Sequence, residues 1–378
     1  MKNKEVSEEY IEKLSTQEKN KIISENAVQS TLHFQKRIEK ELKLMTHQGF
    51  LASESDYSVS SYYYRVEFQQ RGALHIHCLL WLQNSEEKAA PTFWSSNEKD
   101  ENQEDKIKEI ETIASKLISG SEDFDLCDEH SVEFLEIVSR SKTCVDCFSS
   151  KFNFVECPNH KLPGEIGNSC QKCLELKKCV KDFQTHKHTF SCQKKNKLMT
   201  IRENEGHGKD DNRKRGHRIN NFVQCRYRFP QFPINKTKFI LGMSKELTVE
   251  ETERRKKDLQ KIKKYLIRQT FSEDWTNRQT IELTKFNNLT FLEFLHEVGM
   301  FSTDKKLNEY SNKEKKWAYE RYIDALSASV RGSGSTFLKR NTKDIFTNNF
   351  NRRIMEIHQA NHDVQIVVDQ VCITNISC

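Results

Sequence analysis

Two histidines one residue apart, His75 and His77, lie in the apolar run 74–82, which reads LHIHCLLWL. On a β-strand alternate side chains project from the same face, so the two imidazoles would lie side by side while Ile76 and Cys78 face the opposite way. Two imidazoles on one strand face form half of a metal site. The alternative is that both are ordinary core or edge histidines whose hydrogen bonds are satisfied within the protein.

The run before the histidines could supply a third ligand. Residues 59–69 are rich in Tyr, Val and Phe and alternate as a strand does, and the short segment 70–73 would turn the chain into a hairpin. Antiparallel pairing would bring Glu67 or Gln69 across to the histidine face, and the sequence does not choose between them. Two nitrogens and one oxygen with open positions suit Mg²⁺ or Mn²⁺ bridging to a phosphate better than they suit a closed zinc site.

A second group of candidate ligands lies in residues 144–225, where cysteines and histidines are dense. Cys-x-x-Cys and Cys-x-x-His pairs place two ligands on one tight turn, as tetrahedral zinc sites do, so we predict structural zinc with the pairing of ligands left open. One candidate site consists of Cys157, His160, Cys170 and Cys173, and a second of His186 or His188 with Cys192 and Cys225. Cys144 and Cys147 could compete for the first site. We expect Cys78 and Cys179 to be small buried apolar side chains instead.

The net charge of +6 is concentrated in one part of the chain, because residues 177–238 carry 17 Lys or Arg against 5 Asp or Glu. Such a segment suits the phosphate backbone of DNA, since each neutralised phosphate releases counterions; the alternative is a solvated charged surface. The candidate DNA-binding side chains are Lys194, Lys195, Lys197, Arg213, Lys214, Arg215, Arg218, Arg226 and Arg228. Tyr227, Phe229 and Phe232 lie among these charges and could stack on bases or pack on the zinc-binding module.

The elements that must position these residues are predicted from periodicity and capping patterns. A helix is expected over 24–45, with Val28, Leu32, Ile38, Leu42 and Met45 on its apolar face. Residues 85–140 are acidic and are interpreted as a spacer with short helices at 107–117 and 132–138. A charged helix over 248–269 would begin with the capping pair Thr248 and Glu251, followed by helices at 291–298 and 317–330 and a strand-like run at 364–378.

Composition bounds the class of protein. With a mean hydropathy of −0.79, no stretch approaches the roughly 20 apolar residues of a membrane helix, so we expect a soluble protein. The first residues lack the apolar core of a secretory signal, which predicts a reducing compartment in which the 12 cysteines are not disulfides.

Several blocks of the chain resemble the Helitron replication initiator, the helicase-like N-terminal domain of rolling-circle transposons and a member of the HUH endonucleases. The central block is YYYRVEFQQRGALHIHCLLWL; ENAVQSTLHFQKRIEKEL, THKHTFSC with CRYRFPQFP, and DIFTNNFNRRIMEIHQANHDVQIVVDQ resemble other family blocks in the family's order. The resemblance implies that His75 and His77 hold a divalent cation on single-stranded DNA, with Glu67 the preferred third ligand and Gln69 the alternate. It further implies a tyrosine that attacks the phosphate and forms a 5′-phosphotyrosine.

The family's tyrosine pair is not found where the resemblance places it. The first tyrosine would fall near Asn375 or Ile376, whereas the last tyrosine of the sequence is Tyr322. Tyr319 and Tyr322 are alternative nucleophiles, but their spacing is more typical of a helix core. The family's opening motif is not recognisable in residues 1–23 and no helicase domain follows, so we expect a fragment or degraded copy and predict no nicking by this chain.

The sequence thus predicts an α+β fold, with part of an HUH-type antiparallel sheet and flanking helices. Its predicted units are 1–84 with the metal-binding hairpin, the acidic spacer 85–140, a basic zinc-binding insert at 141–240, and 241–378 leading to the tyrosine motif. The predicted partner is single-stranded DNA, with a helicase domain in the parent protein and a nuclear location. The rival hypothesis is a non-catalytic, zinc-stabilised DNA-binding module.

Overall fold

The computed structural model describes residues 10, 13–47, 50–51, 57–68, 74–84, 103–121, 171–188, 192–194, 224–270, 285–302, 305–332 and 334–367. Their helices are α1 Thr16–Glu25, α2 Ala27–Met45, α3 Gln103–Leu117, α4 Gln171–Cys179, α5 Val249–Thr270, α6 Phe291–Glu297, α7 Asn312–Ser327 and α8 Arg352–His358. Their strands are β1 Ser58–Phe68, β2 Leu74–Gln83, β3 Gln193–Lys194, β4 Gln224–Cys225, β5 Lys238–Leu241 and β6 Gly334–Phe337. None of the helices in these ranges is long and apolar enough to cross a membrane.

The helix predicted over 24–45 is wrong at its start, because the chain breaks at Asn26 into α1 and α2. The Asn26 amide and side-chain Nδ2 both donate to the Ile22 carbonyl, which ends α1, and α1 itself begins with a capping box of Ser15 and Glu18. The predicted apolar face is only half buried. Ile38, Leu42 and Met45 lie in the core. Val28 and Leu32 belong to the first turns of α2, which extend beyond the core, and both are exposed.

The predicted hairpin is confirmed. Strands β1 and β2 pair antiparallel from Ser58 opposite Gln83 to Phe68 opposite Leu74, with one irregularity between Val59 and Ser61; the connecting residues 69–73 lie outside the described ranges. One face of the hairpin packs inward through Tyr64, Ile76, Cys78, Leu80 and Leu82. The other face therefore carries His75 and His77 outward, as alternation requires.

Helix α3 packs in the core, although its sequence falls inside the predicted acidic spacer. Ile113, Ala114 and Leu117 are buried against α2 and the hairpin, and Ile110 packs on Phe239 of β5. Residues 103–121 are therefore not a linker, because the apolar positions of this segment recur at helical spacing. Residues 85–102 and 122–140, including the helix predicted at 132–138, are outside the described part of the chain.

A second core is formed by α5, α6 and α7 with the β5–β6 pair. The predicted helices are confirmed here, and Thr248 Oγ1 accepts from the Glu251 amide at 3.2 Å at the start of α5. The Glu251 carboxylate does not return the bond but pairs with arginines of its own helix. Helix α7 begins five residues earlier than predicted, because Ser311 and Glu314 form a capping box.

The C-terminal residues 334–367 pair with several separate parts of the described chain. Beyond the β5–β6 pair, isolated bridges join Phe350 to Ser119, Thr347 to Thr185 and Arg340 to Ile234. Residues 364–367 belong to no strand, contrary to the expectation for 364–378; the Val364 amide instead donates to the Asn349 carbonyl, and the last eleven residues are not described. The fold is thus mixed, with three separate two-stranded antiparallel sheets in the described ranges and not one larger sheet.

Arg340 holds these parts together from a buried position. Its Nη1 donates to the carbonyls of Gly120 at 2.8 Å, Asp344 at 2.9 Å and Thr347, and its Nη2 donates to Asn349 Oδ1 at 2.9 Å. Burial lowers the pKa of Arg340 to about 10, against the opposing effect of nearby carboxylates, so the guanidinium remains charged at neutral pH. The end of α3 and the loop 341–350 are therefore fixed by one side chain.

Arg340→Met is expected to lower the free energy of unfolding by about 3–5 kcal/mol, because it leaves several buried carbonyls without a donor. The matched control is Lys339→Met. Lys339 is an exposed neighbour, and a substitution at such a position usually changes the free energy of unfolding by no more than about 0.5 kcal/mol. Urea unfolding of both variants measures the difference. Equal midpoints for the two variants would contradict the role given to Arg340.

Candidate metal centres

The outward face of the hairpin brings Glu67 and the two histidines together. Glu67 lies directly opposite His75, and Arg65 lies directly opposite His77, so all four side chains share one face. His77 Nε2 is 3.1 Å from Glu67 Oε2, and the two imidazole rings are 4.8 Å apart, edge to face. The arrangement predicted for His75, His77 and Glu67 on one face is thus present; Gln69 lies outside the described residues.

The charges on this face favour ligand-competent protonation states. The guanidinium of Arg65 hydrogen-bonds to Oε1 of Glu67, and this contact lowers the pKa of the carboxyl, so Glu67 is ionised at neutral pH. Partial burial, followed by the neighbouring His77, lowers the pKa of His75, which favours the neutral imidazole. A neutral imidazole and a carboxylate are the forms that bind a metal ion.

Two of the three donors already lie at a spacing that suits a hard divalent cation. Ligand atoms at roughly 2.1 Å from a common ion in cis positions lie about 3 Å apart, and His77 Nε2 lies 3.1 Å from Glu67 Oε2. Among the described residues, His75 does not form a cluster of ligand atoms with these two, so its side chain would have to turn toward them to bind the same ion. His75 is exposed, so positions on the solvent side stay open for other ligands. Arg65 occupies the second oxygen of Glu67 and thereby leaves one oxygen for the ion. Sequence reasoning missed Arg65, although its alternation with Glu67 already placed it on the same face.

A second cluster brings together the ligand atoms of His186, His188, Cys192 and Cys225, all within 4.8 Å of one another. His186 Nε2 is 3.3 Å from His188 Nδ1 and from Cys225 Sγ, and His188 Nδ1 is 3.4 Å from Cys192 Sγ. In a tetrahedron with Zn–N and Zn–S bonds of about 2.0 and 2.3 Å, neighbouring ligand atoms are separated by roughly 3.3–3.8 Å. The four side chains therefore fit one tetrahedral ion.

Backbone pairing assembles this cluster from distant segments. The short β3–β4 ladder sets Gln193 opposite Cys225, and the Arg226 amide donates to the Cys192 carbonyl at 2.7 Å. The His186 amide donates to the Phe346 carbonyl at 2.8 Å. The ring of Phe229 stacks on His186 at 4.5 Å and fixes the orientation of the imidazole.

Both histidines enter the cluster, where the sequence left open which one would. The other predicted zinc set cannot be placed, because Cys157, His160 and Cys170 lie outside the described residues, as do Cys144 and Cys147. Cys173 lies in α4, and the structure does not describe its side chain. Cys78 and Cys179 pack against apolar clusters, and burial raises the pKa of Cys78 to about 11.

Tyr322 is a core residue. It is fully buried, its hydroxyl donates to the Pro233 carbonyl at 2.7 Å, and burial raises its pKa well above the ordinary value. A phenol held in this way cannot reach a phosphate. Tyr319 is half-buried, and its pKa is raised by the same cause.

Three of the predicted DNA-binding cations lie in the described ranges. Arg226 and Arg228 are exposed beside Cys225, and Lys194 lies in β3. Lys195, Lys197, Arg213, Lys214, Arg215 and Arg218 lie outside these ranges. Of the aromatic residues expected among them, Tyr227 is exposed beneath the Arg226 guanidinium, whereas Phe229 is buried on His186 and Phe232 packs near Phe337. Of the three, Tyr227 is exposed, Phe232 is partly buried and Phe229 is buried.

Comparison with known families identifies the N-terminal part of the chain. Residues 2–80 match the family model described as the Helitron helicase-like domain at the N-terminus. This region is Helitron-related. The matched segment includes α1, α2, β1 and most of β2, and therefore Glu67, His75 and His77. No curated protein and no solved structure matches the chain.

Cys192→Ala is expected to lower the affinity of the second cluster for Zn²⁺ or Co²⁺ by roughly a hundredfold or more, because even the loss of a supporting contact costs 10–100-fold. Cobalt bound by two thiolates in a tetrahedral site gives intense visible absorption, which measures the loss directly. Cys179→Ala, a half-buried cysteine outside the cluster, is the control. Cobalt spectra that are unchanged in Cys192→Ala would contradict the assignment.

Proposed function

We propose that this chain is a transposon-derived DNA-binding protein of the Helitron type. In this proposal Glu67, His75 and His77 hold Mg²⁺ or Mn²⁺ against a phosphate of single-stranded DNA. The observation that carries the proposal is the contact of Glu67 with His77 on the outward face of the hairpin that His75 shares, within the segment that matches the Helitron family model. We further propose a nuclear location, since the ligand in this proposal is DNA.

A divalent cation bound here would polarise a phosphodiester that completes its coordination. The chain's own residues then have distinct tasks. His75 and His77 would supply ring nitrogens, Glu67 would supply the negative charge, and Arg65 keeps that carboxylate ionised and aligned through its hydrogen bond. The Arg65 guanidinium also adds positive charge beside the position that a phosphate would take.

The second cluster supports a structural role for zinc in the same function. With zinc bound, His186, His188, Cys192 and Cys225 would join the segment after α4 to the β3–β4 ladder. Arg226, Arg228 and Tyr227 follow the last ligand directly and are exposed. We infer that the zinc-bound ladder presents these side chains to the DNA backbone and bases.

A more specific version of this proposal is that the protein is an HUH endonuclease and cleaves the strand through a phosphotyrosine. Its alternative is a non-catalytic, zinc-stabilised DNA-binding module. The four-ligand cluster and the burial of Tyr322 favour the alternative, whereas the ordered Glu67–His77 pair favours a retained metal site. The two candidates differ in whether Mn²⁺ acts on DNA.

The expected result with a fluorescent single-stranded oligonucleotide is that Mn²⁺ tightens binding by the protein, and that the double variant His75→Ala His77→Ala loses this gain. A gain of roughly tenfold corresponds to one added charge-assisted contact of about 1.4 kcal/mol. His33→Ala is the control, because His33 is exposed on α2 and belongs to neither cluster. Fluorescence anisotropy with and without Mn²⁺ measures the affinities.

The same mixtures decide between the two candidates. Cleavage with a covalent protein–DNA adduct that depends on His75 and His77 would establish the nuclease, and metal-enhanced binding alone would establish a binding protein with a retained metal site. Mn²⁺ without any effect on the wild-type protein would contradict the metal function of the hairpin.

A further inference from the structure

A lysine-rich groove lies between β5, α6 and α7, and neither metal centre uses its residues. The groove has a volume of about 660 Å³, which is within the range of ligand sites in proteins. Its basic lining consists of Lys236, Lys238, Lys315 and Lys316. None of the residues that line it is acidic, so the groove is a site of concentrated positive charge.

Two of these lysines have partners and two do not. Lys238 Nζ is 3.1 Å from Glu111 Oε2, and Lys316 Nζ is 3.8 Å from Glu320 Oε1 on the same helix. Lys236 and Lys315 form no ion pair with any residue in the part of the chain that the structure describes. Lys315 is half-buried, and a half-buried ammonium group is stabilised by a neighbouring anion. A negatively charged ligand bound in the groove would provide that anion.

The floor of the groove is apolar and partly aromatic. It is formed by Phe291, Leu292 and Leu295 from the start of α6 and by Tyr319 from α7. The Tyr319 hydroxyl is buried and makes no hydrogen bond among the described residues. The groove therefore combines unpaired cations with a surface on which a planar ring can lie.

We propose that this groove binds one nucleotide unit of a single-stranded nucleic acid. Lys236 and Lys315 contact the phosphate, and the base rests on the apolar floor that the Tyr319 ring helps to form. The groove gives the DNA of the proposed function a second contact. It does not require the metal of the hairpin, so the two can be tested separately.

The test compares two double variants in which the same charge is removed. Lys236→Gln Lys315→Gln alters the groove, and Lys257→Gln Lys313→Gln alters exposed positions of α5 and α7 that do not line it. With oligothymidine and no divalent cation, the groove variant is expected to bind on the order of tenfold more weakly at 0.1 M salt. The slope of log affinity against log salt should fall by about 0.7, since each neutralised phosphate on a single strand contributes about 0.7 and both lysines contact the same phosphate. Equal changes in both variants would overturn the site.

Tyr319→Phe tests the part that the ring plays in the floor. The ring stays in place and only a buried hydroxyl without a partner is removed, so the melting temperature should be unchanged or higher and the affinity for oligothymidine unchanged. A fall in affinity at an unchanged melting temperature would contradict this description of the floor. Free thymidine monophosphate, added at the same concentration as the oligonucleotide, should not displace the oligonucleotide from the groove. If it does, the groove binds single nucleotides and the proposal of a nucleic-acid strand is wrong.

The same comparison in the His75→Ala His77→Ala background keeps the two functions apart. We expect the loss caused by Lys236→Gln Lys315→Gln to persist there, because the groove acts without the hairpin's metal. If the loss disappears in that background, the groove is not an independent contact. Failure of the hairpin proposal appears instead as an absent effect of Mn²⁺.

Discussion

The guanidinium of Arg340 is buried where the end of α3, the segment before β5 and the loop 341–350 meet. Its carbonyl partners are Gly120 at the end of α3 and Asp344 and Thr347 in the loop, two segments far apart in sequence, and its own backbone bridges to Ile234. A buried cation requires this complete set of acceptors, so each of the three segments is held in one position relative to the others. Gly120 must lack a side chain here, because a Cβ would lie 2.6 Å from Arg340 Nη2.

Both candidate metal centres depend on this arrangement. The loop that Arg340 orders contains Phe346, whose carbonyl receives the His186 amide, and Thr347, which bridges to Thr185. The same loop ends at Phe350, which is paired with Ser119 at the end of α3, and α3 packs beneath the inward face of the hairpin. One buried interaction thus positions the histidines of the zinc cluster and supports the strands that carry His75 and His77.

Local patterns were sufficient for the hairpin and for most helices. Alternation in 59–69 and 74–82 predicted the strands and the shared face of Glu67 and the histidines, since register in a hairpin follows from its two strands alone. Capping pairs such as Thr248 with Glu251 located helix starts. The break at Asn26 was missed because an unbroken apolar pattern runs through it, whereas the side chain of Asn26 bonds to the backbone and ends α1.

Local sequence patterns did not predict the long-range interactions. Arg340 is an ordinary surface residue by type, and its burial depends on acceptors as far away in sequence as Gly120. The acidic composition of residues 85–140 suggested a spacer. The apolar residues on one face of α3 are few among these charges, so composition alone did not indicate that the helix packs in the core. The entry of both His186 and His188 into one cluster depends on the pairing of Thr185 with Thr347, and the lysine groove combines residues about 80 positions apart.

The claim that matters most is that the paired histidines of the hairpin bind a metal ion. Pulsed electron paramagnetic resonance of Mn²⁺ bound to the zinc-loaded protein tests it most directly, because ¹⁴N nuclei of coordinated imidazoles couple to the manganese electron spin. The account predicts ¹⁴N coupling in the wild-type protein and in His33→Ala, and its loss in His75→Ala His77→Ala. Bound Mn²⁺ without ¹⁴N coupling, or coupling that survives in the double variant, would contradict it.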